Sequence, residues 1–154
     1  MSDLVYSKYY TKFFPLIEPI AKKTNVNPIF ILSVSALETG LGKKTPHNNF
    51  FGIKAGLSSK NKFLSPTKEY DSNKKRFKMV ADHFRSYESF SDSCLDFCRL
   101  IRYKYPQCVG VGEPKICYLI QANPKRKYAT DPDYSAKLES LYYIFLSINI
   151  REAK

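Results

Sequence analysis

Asn27-Pro28-Ile29-Phe30-Ile31-Leu32-Ser33-Val34-Ser35-Ala36-Leu37-Glu38-Thr39-Gly40-Leu41-Gly42 is the stretch on which the reading of this chain turns. Asn27 is a good helix N-cap, and Pro28 suits the first helical position, where its missing N–H costs nothing. Residues 29–37 are apolar on nearly every face, the pattern of a helix buried all round. Gly40 and Gly42 are stop signals. A carboxylate, Glu38, therefore stands at the C-terminal end of the most apolar helix in the chain. The helix dipole and the apolar surroundings both disfavour its charge there, so both raise its pKa. A carboxyl that keeps its proton near neutral pH is what a general acid requires. Glycosidases use such a group to protonate the leaving sugar oxygen.

Outward from this helix the texture changes. Across residues 8–23, Phe13, Phe14, Ile17, Ile20 and Ala21 recur at helical spacing, and Pro15 and Pro19 predict a kinked or broken helix. Across residues 48–87 the pattern is β-like. Residues 50–54 read as a short extended run, residues 67–70 and 76–79 alternate around a turn at Asp71-Ser72-Asn73, and residues 84–87 read as one more extended piece. Helices resume after Ser89 or Ser91, either of which suits a cap, with Phe90, Cys94, Phe97, Cys98 and Ile101 on one stripe. A shorter helix is expected at about residues 113–122. The last opens at Thr130-Asp131-Pro132 and runs through Tyr134, Leu138, Leu141, Tyr142, Phe145 and Ile148. The expectation is one domain over residues 1–154, α+β and mainly α, with a small β-lobe at about 49–87 inserted after the second helix.

The chain has 154 residues, 44% of them apolar, enough for a proper core and too many for wholesale disorder. Twenty-five Lys and Arg against fourteen Asp and Glu leave a net charge of +11. That surplus points to a polyanion such as nucleic acid, anionic lipid or an acidic wall polymer. No apolar run approaches the roughly 18 residues of a membrane span. The opening residues lack the basic-then-apolar layout of a signal peptide, which suggests a phage-borne or injected protein or a domain cut from a longer chain. Cys94, Cys98, Cys108 and Cys117 leave three disulfide pairings and the all-thiol state open. Neither His47 nor His83 pairs with them locally, so no metal and no organic cofactor is expected.

Five blocks then agree in order with one family. Ala36-Leu37-Glu38-Thr39-Gly40-Leu41-Gly42-Lys43 resembles the A-L-E-[ST]-G-x-G-K signature of lysozyme-like cell-wall hydrolases. Asn48-Asn49-Phe50-Phe51-Gly52-Ile53-Lys54-Ala55 resembles the N-N-[LFY]-F-G-I-K-A block of glycoside hydrolase family 73, the peptidoglycan β-N-acetylglucosaminidases. Thr67-Lys68-Glu69-Tyr70 is similar to that family's T-x-E strand. Residues 84–92 are similar to its F-R-x-Y-x-S-x-x-[ED] passage into a helix. Residues 128–138 are similar to its Y-A-T-D-P-x-Y-A-x-K-[IL] segment.

The resemblance implies a lysozyme-like fold with a cleft between a helical lobe and a β-lobe. It implies hydrolysis of the β-1,4 bond between N-acetylglucosamine and N-acetylmuramic acid in peptidoglycan, at the bacterial wall, by a monomer. Glu38 takes the place of the general acid, and Glu69 that of the second carboxylate, which activates water or steadies developing positive charge. Asp71, two residues on, shares the strand face and is a second candidate for facing the sugar. Tyr128 falls where the family has a cleft-lining tyrosine, and Asn48, Asn49 and Gly52 match the block that shapes the cleft base. Asp131 reads as a helix cap. Retaining, inverting and substrate-assisted routes stay open. Two alternatives stand beside this reading. One is an N-acetylmuramidase or lytic transglycosylase of the same superfamily, cutting the other bond. The other is a non-catalytic polyanion-binding module built on the basic residues between Lys60 and Lys78 and at Lys125, Arg126 and Lys127; no nucleic-acid-binding motif accompanies them.

Overall fold

The computed structural model describes residues 3–154, and its centre is the helix encoded by the opening stretch. This helix, α2 (Pro28–Thr39), lies against both terminal helices, α1 (Asp3–Thr24) and α5 (Tyr134–Glu152). Asn27 caps it: its Oδ1 accepts from the backbone N–H of Ile29 at 2.9 Å and of Phe30 at 3.2 Å. Gly40, left-handed at φ 59°, closes it by donating its N–H to the Ala36 carbonyl. Residues 29–36 are all buried, the two serines included. Ser33 and Ser35 return their hydroxyls to carbonyls of their own helix, Ile29 at 2.7 Å and Leu32 at 2.8 Å. An all-round buried helix thereby carries hydroxyls without leaving a donor unpaired.

α1 runs through Pro15 and Pro19 as one continuous helix, so the prolines do not break it. The carbonyls that lose their i+4 donors are those of Thr11 and Pro15, and both residues lie on the exposed face. Carbonyls on an exposed face need no protein partner, while Phe13, Phe14 and Ile17 hold the opposite face in the core. α3 (Phe90–Lys104) packs on α1, and its cap is Ser89, whose side chain accepts from the Asp92 N–H. The fourth helix is shorter than expected, one turn of α4 (Ile116–Leu119). The last begins at Tyr134, a few residues after the expected start, because Asp131 closes a turn on the Asp133 N–H before the helix proper. All four cysteines are buried free thiols. None of the described helices is long and apolar enough to cross a membrane.

Between α2 and α3 stands a two-stranded antiparallel hairpin, β1 (Lys62–Asp71) and β2 (Arg76–Arg85), in the register Glu69 to Lys78 and Asp71 to Arg76. Residues 84–85 thus complete β2 rather than forming a separate piece. Residues 50–54 are not a strand; Lys54 makes a single bridge to Phe84. Their β-like look comes from burial. Phe50 packs on Phe13 and Phe90, and Phe51 stacks on Phe97 at 4.5 Å between centroids. The helical core thereby takes in the segment that leads to the hairpin.

Asn27 also donates from Nδ2 to the Tyr142 hydroxyl on α5 at 2.8 Å and to the Val111 carbonyl at 3.2 Å. One side chain thus joins the start of α2 to α5 and to the loop before α4. Asn27→Ala removes a cap worth about 1 kcal/mol and strands the buried Tyr142 hydroxyl and the half-buried Val111 carbonyl. A loss of about 2–4 kcal/mol is expected in urea unfolding followed by far-UV circular dichroism, with the denaturant slope unchanged.

Candidate active site

Glu38 ends α2 at the floor of a cleft of about 1020 Å³ between the helices and the hairpin. Tyr105, Tyr128 and Tyr134 contribute to the helical wall, Phe63, Glu69 and Phe77 to the hairpin wall. Glu38 is exposed, with its carboxyl on the cleft, so solvent and ligand reach it. Desolvation by the neighbouring protein, with a smaller contribution from the Glu69 charge, pushes its pKa up from 4.5 to about 7.

The backbone of Gly52, at φ 67°, lies beside the carboxyl; a Cβ placed there would lie 3.0 Å from Oε1 of Glu38 and 3.3 Å from its Cδ. Asn49 holds Gly52 in place. Its Oδ1 accepts from the N–H groups of Phe51 at 3.3 Å and Ile53 at 3.2 Å, and its Nδ2 donates to the carbonyls of Ile53 and Arg85, both at 2.9 Å. Asn49 is buried, and these four bonds commit its amide to folding the loop. Asn48, left-handed at φ 57°, donates to the Tyr87 carbonyl at 3.2 Å and is not part of the cleft wall.

Glu69 faces the cleft with both oxygens engaged. Oε1 is 2.8 Å from the Lys54 ammonium, which also reaches Asp82 at 3.2 Å. Burial works against the Lys54 charge, but the hydrogen bonds to Glu69 and Asp82 outweigh it and raise the lysine pKa. Oε2 accepts from the Thr130 hydroxyl at 2.8 Å, and that same hydroxyl accepts from the Tyr70 N–H at 3.0 Å. Thr130 thus ties the hairpin to the loop before α5. Asp71 shares the strand face with Glu69 but stands apart from the cleft wall. Its Oδ1 accepts from the N–H groups of Asn73 at 3.0 Å and Lys74 at 3.2 Å, so it builds the hairpin turn.

Tyr128 donates its hydroxyl to the Phe51 carbonyl, and burial followed by the nearby Glu38 raises its pKa well above 10.0. Tyr134 is 4% exposed and lines the same wall. Its hydroxyl finds no partner among the described residues. The structure therefore brings Glu38, Asn49, Gly52, Glu69 and Tyr128 to one cleft and leaves Asn48 and Asp71 outside its wall. It adds Lys54, Thr130 and Tyr134, which sequence reasoning did not single out as site residues. Each lies inside or beside one of the quoted blocks, and membership of those blocks was the available signal.

Gly52→Ala places a methyl against the carboxyl in a backbone conformation that costs a side chain about 1–2 kcal/mol. The expected result is a comparable loss of stability together with a fall in the Glu38 pKa from about 7 toward 4.5 as the carboxyl is pushed into the open cleft. A carboxyl-carbon NMR titration reads the pKa.

A family profile described as glucosaminidase, mannosyl-glycoprotein endo-beta-N-acetylglucosaminidase, matches residues 14–145. Among curated relatives, the chain is 32% identical over 141 residues to the peptidoglycan hydrolase FlgJ of Vibrio cholerae, covering 84% of this chain and 41% of that protein. It is 35% identical over 136 residues to FlgJ of Vibrio parahaemolyticus, covering 80% and 42%. The chain thus spans about two fifths of the length of these relatives. Among solved structures, it superimposes on a peptidoglycan hydrolase mutant from Sphingomonas sp. A1 with TM-score 0.80 and 25% identity, covering 92% of this chain and 97% of that one. A C-terminally truncated glycoside hydrolase domain of Salmonella typhimurium FlgJ matches with TM-score 0.71 and 25% identity, covering 92% and 98%. The helical lobe with its inserted hairpin is accordingly the lysozyme-like fold. With five sequence blocks, the cleft and a profile match over most of its length in agreement, the chain belongs to the glucosaminidase family of glycoside hydrolases, family 73.

Proposed function

We propose that this domain hydrolyses the glycan strand of peptidoglycan at the bacterial wall. The bond cut is the β-1,4 linkage on the reducing side of N-acetylglucosamine, and Glu38 is the general acid. The observation that carries the reading is the Glu38 carboxyl, open to a cleft yet pushed up to about 7, so that it holds its proton near neutral pH. The cleft volume, about 1020 Å³, lies at the upper end of the range for small-ligand sites and suits a segment of polymer.

In this mechanism Glu38 gives its proton to the glycosidic oxygen as the bond breaks, positive charge develops on the sugar ring, and a water oxygen bonds to the anomeric carbon and releases a proton that restores the carboxyl. Glu69 supplies a fixed negative charge across the cleft. Its oxygens are engaged by Lys54 and Thr130, which suits electrostatic stabilisation better than proton transfer. Tyr128 keeps the loop at Phe51 and Gly52 pressed on the acid. The Tyr134 hydroxyl is buried behind the cleft wall and has no partner among the described residues.

Glu38→Gln is expected to fold normally and to lower kcat by about 10²–10⁴, the usual weight of a general acid. Mass spectrometry of digested wall is expected to show N-acetylglucosamine at the new reducing ends. Reducing-end N-acetylmuramic acid, or an anhydro product, would overturn the bond assignment.

The pH profile gives an independent check. Because the acid must be protonated, kcat on a short glycan is expected to fall as pH rises through about 7. The Glu69 charge contributes to that raised pKa, so Glu69→Gln is expected to move the falling limb to lower pH. An unmoved limb would remove Glu69 from the electrostatics of the acid.

A further inference from the structure

The same cleft has a charge pattern that the bond-breaking chemistry does not use. Its acidic lining residues are Glu38, Glu69 and Asp131. Glu69 is paired with Lys54, and Asp131 lies 2.5 Å from the Lys137 ammonium. Lys44, Lys68, Lys104, Lys125 and Lys127 line the cleft as well, and among the described residues none of the five has an acidic partner within 4.0 Å. Lys68 rests over the Phe77 ring at 5.8 Å. Lys104, Lys125 and Lys127 are exposed at the cleft, flanking Tyr105 and Tyr128.

Local structure holds two of these three in place. The Gln121 side chain pairs both ways with Ala129, donating to its carbonyl at 2.8 Å and accepting from its N–H at 3.1 Å. That closes the base of the loop carrying Lys125 and Lys127. Asn123 accepts from the Lys125 N–H at 3.0 Å within the loop. Lys125 and Lys127 line the cleft, while Arg126 between them does not. Lys104 joins them from the last turn of α3. None of the three contributes to the shift of the Glu38 pKa, which is set by burial and Glu69.

Resting on the glycan-strand reading, we propose that Lys104, Lys125 and Lys127 form a subsite for the carboxylates of the peptide stems borne by the substrate strand. The sugar backbone carries no charge for these lysines to meet, whereas stems on alternate sugars project free carboxylates to one side of it. Three ammonium groups on flexible stems suit carboxylates that vary in position, where a guanidinium fork would demand one fixed geometry. The enzyme is thereby selective for strands whose stems are in place and ionised.

The test compares soluble strands with free stem carboxylates against the same strands after conversion of those carboxylates to amides. Binding is read by fluorescence anisotropy on Glu38→Gln protein, with and without the added triple change K104Q/K125Q/K127Q. The expected result is about tenfold tighter binding of the free-carboxylate strands, a preference that the triple change erases and raised salt diminishes. Equal affinity for both strands, or an equal loss on both in the triple variant, would overturn the subsite. A third strand preparation, still carrying phosphate-rich wall polymer, separates the sources. If the lysine-dependent affinity follows phosphate rather than stem carboxylates, the stem assignment is wrong. Cleavage by the wild-type protein is scored separately, so failure of the hydrolase reading is distinguishable from failure of the subsite.

Discussion

The contact between the Gly52 backbone and the Glu38 carboxyl sets the terms for the rest of the site. A helix end exposes its last side chains to water, and here a loop lies close against one side of the carboxyl while the other faces the cleft. That loop keeps its shape because Asn49 spends its whole amide on it, with one of the four bonds reaching the end of β2. Tyr128 fastens the same loop from the α5 side through the Phe51 carbonyl. Glu38 therefore owes its raised pKa to segments far apart in the chain, and the hairpin is attached through the same residues that pack beside its carboxyl.

Much of this was legible because it is local. The α2 helix, its Asn27 cap, its glycine stop and the placement of Glu38 follow from neighbouring residues, and the structure agrees with each. Departures occur where distant contacts decide. Pro15 and Pro19 argue for a kink or break on local grounds, but the helix is not broken: the residues whose carbonyls they leave unpaired lie on the exposed face, and the core holds the opposite one. Residues 50–54 look like a strand because burial in an aromatic core selects the same residue types as a sheet.

The site itself was legible through block order more than through physics. Strand alternation puts Glu69 and Asp71 on one face and cannot separate them. The separation comes from Thr130, sixty-one residues beyond Glu69, and from the hairpin turn that occupies Asp71. Asn48 and Asn49 are likewise equivalent as neighbouring turn residues until Arg85 and Ile53 claim the amide of one of them. Tyr134 reads as one more apolar position at helical spacing, and only its unpaired hydroxyl in the cleft wall marks it out.

Thr130 has a kinetic consequence. Its hydroxyl makes two hydrogen bonds to β1, so the walls of the cleft are joined on the side where Glu69 and Tyr70 meet the loop before α5. At about 1 kcal/mol for each bond, parting them costs roughly 2 kcal/mol, which leaves roughly one molecule in thirty unlatched at any moment. If a long strand enters sideways through that seam, its capture slows by the same factor. A ligand already inside meets the same gate on leaving.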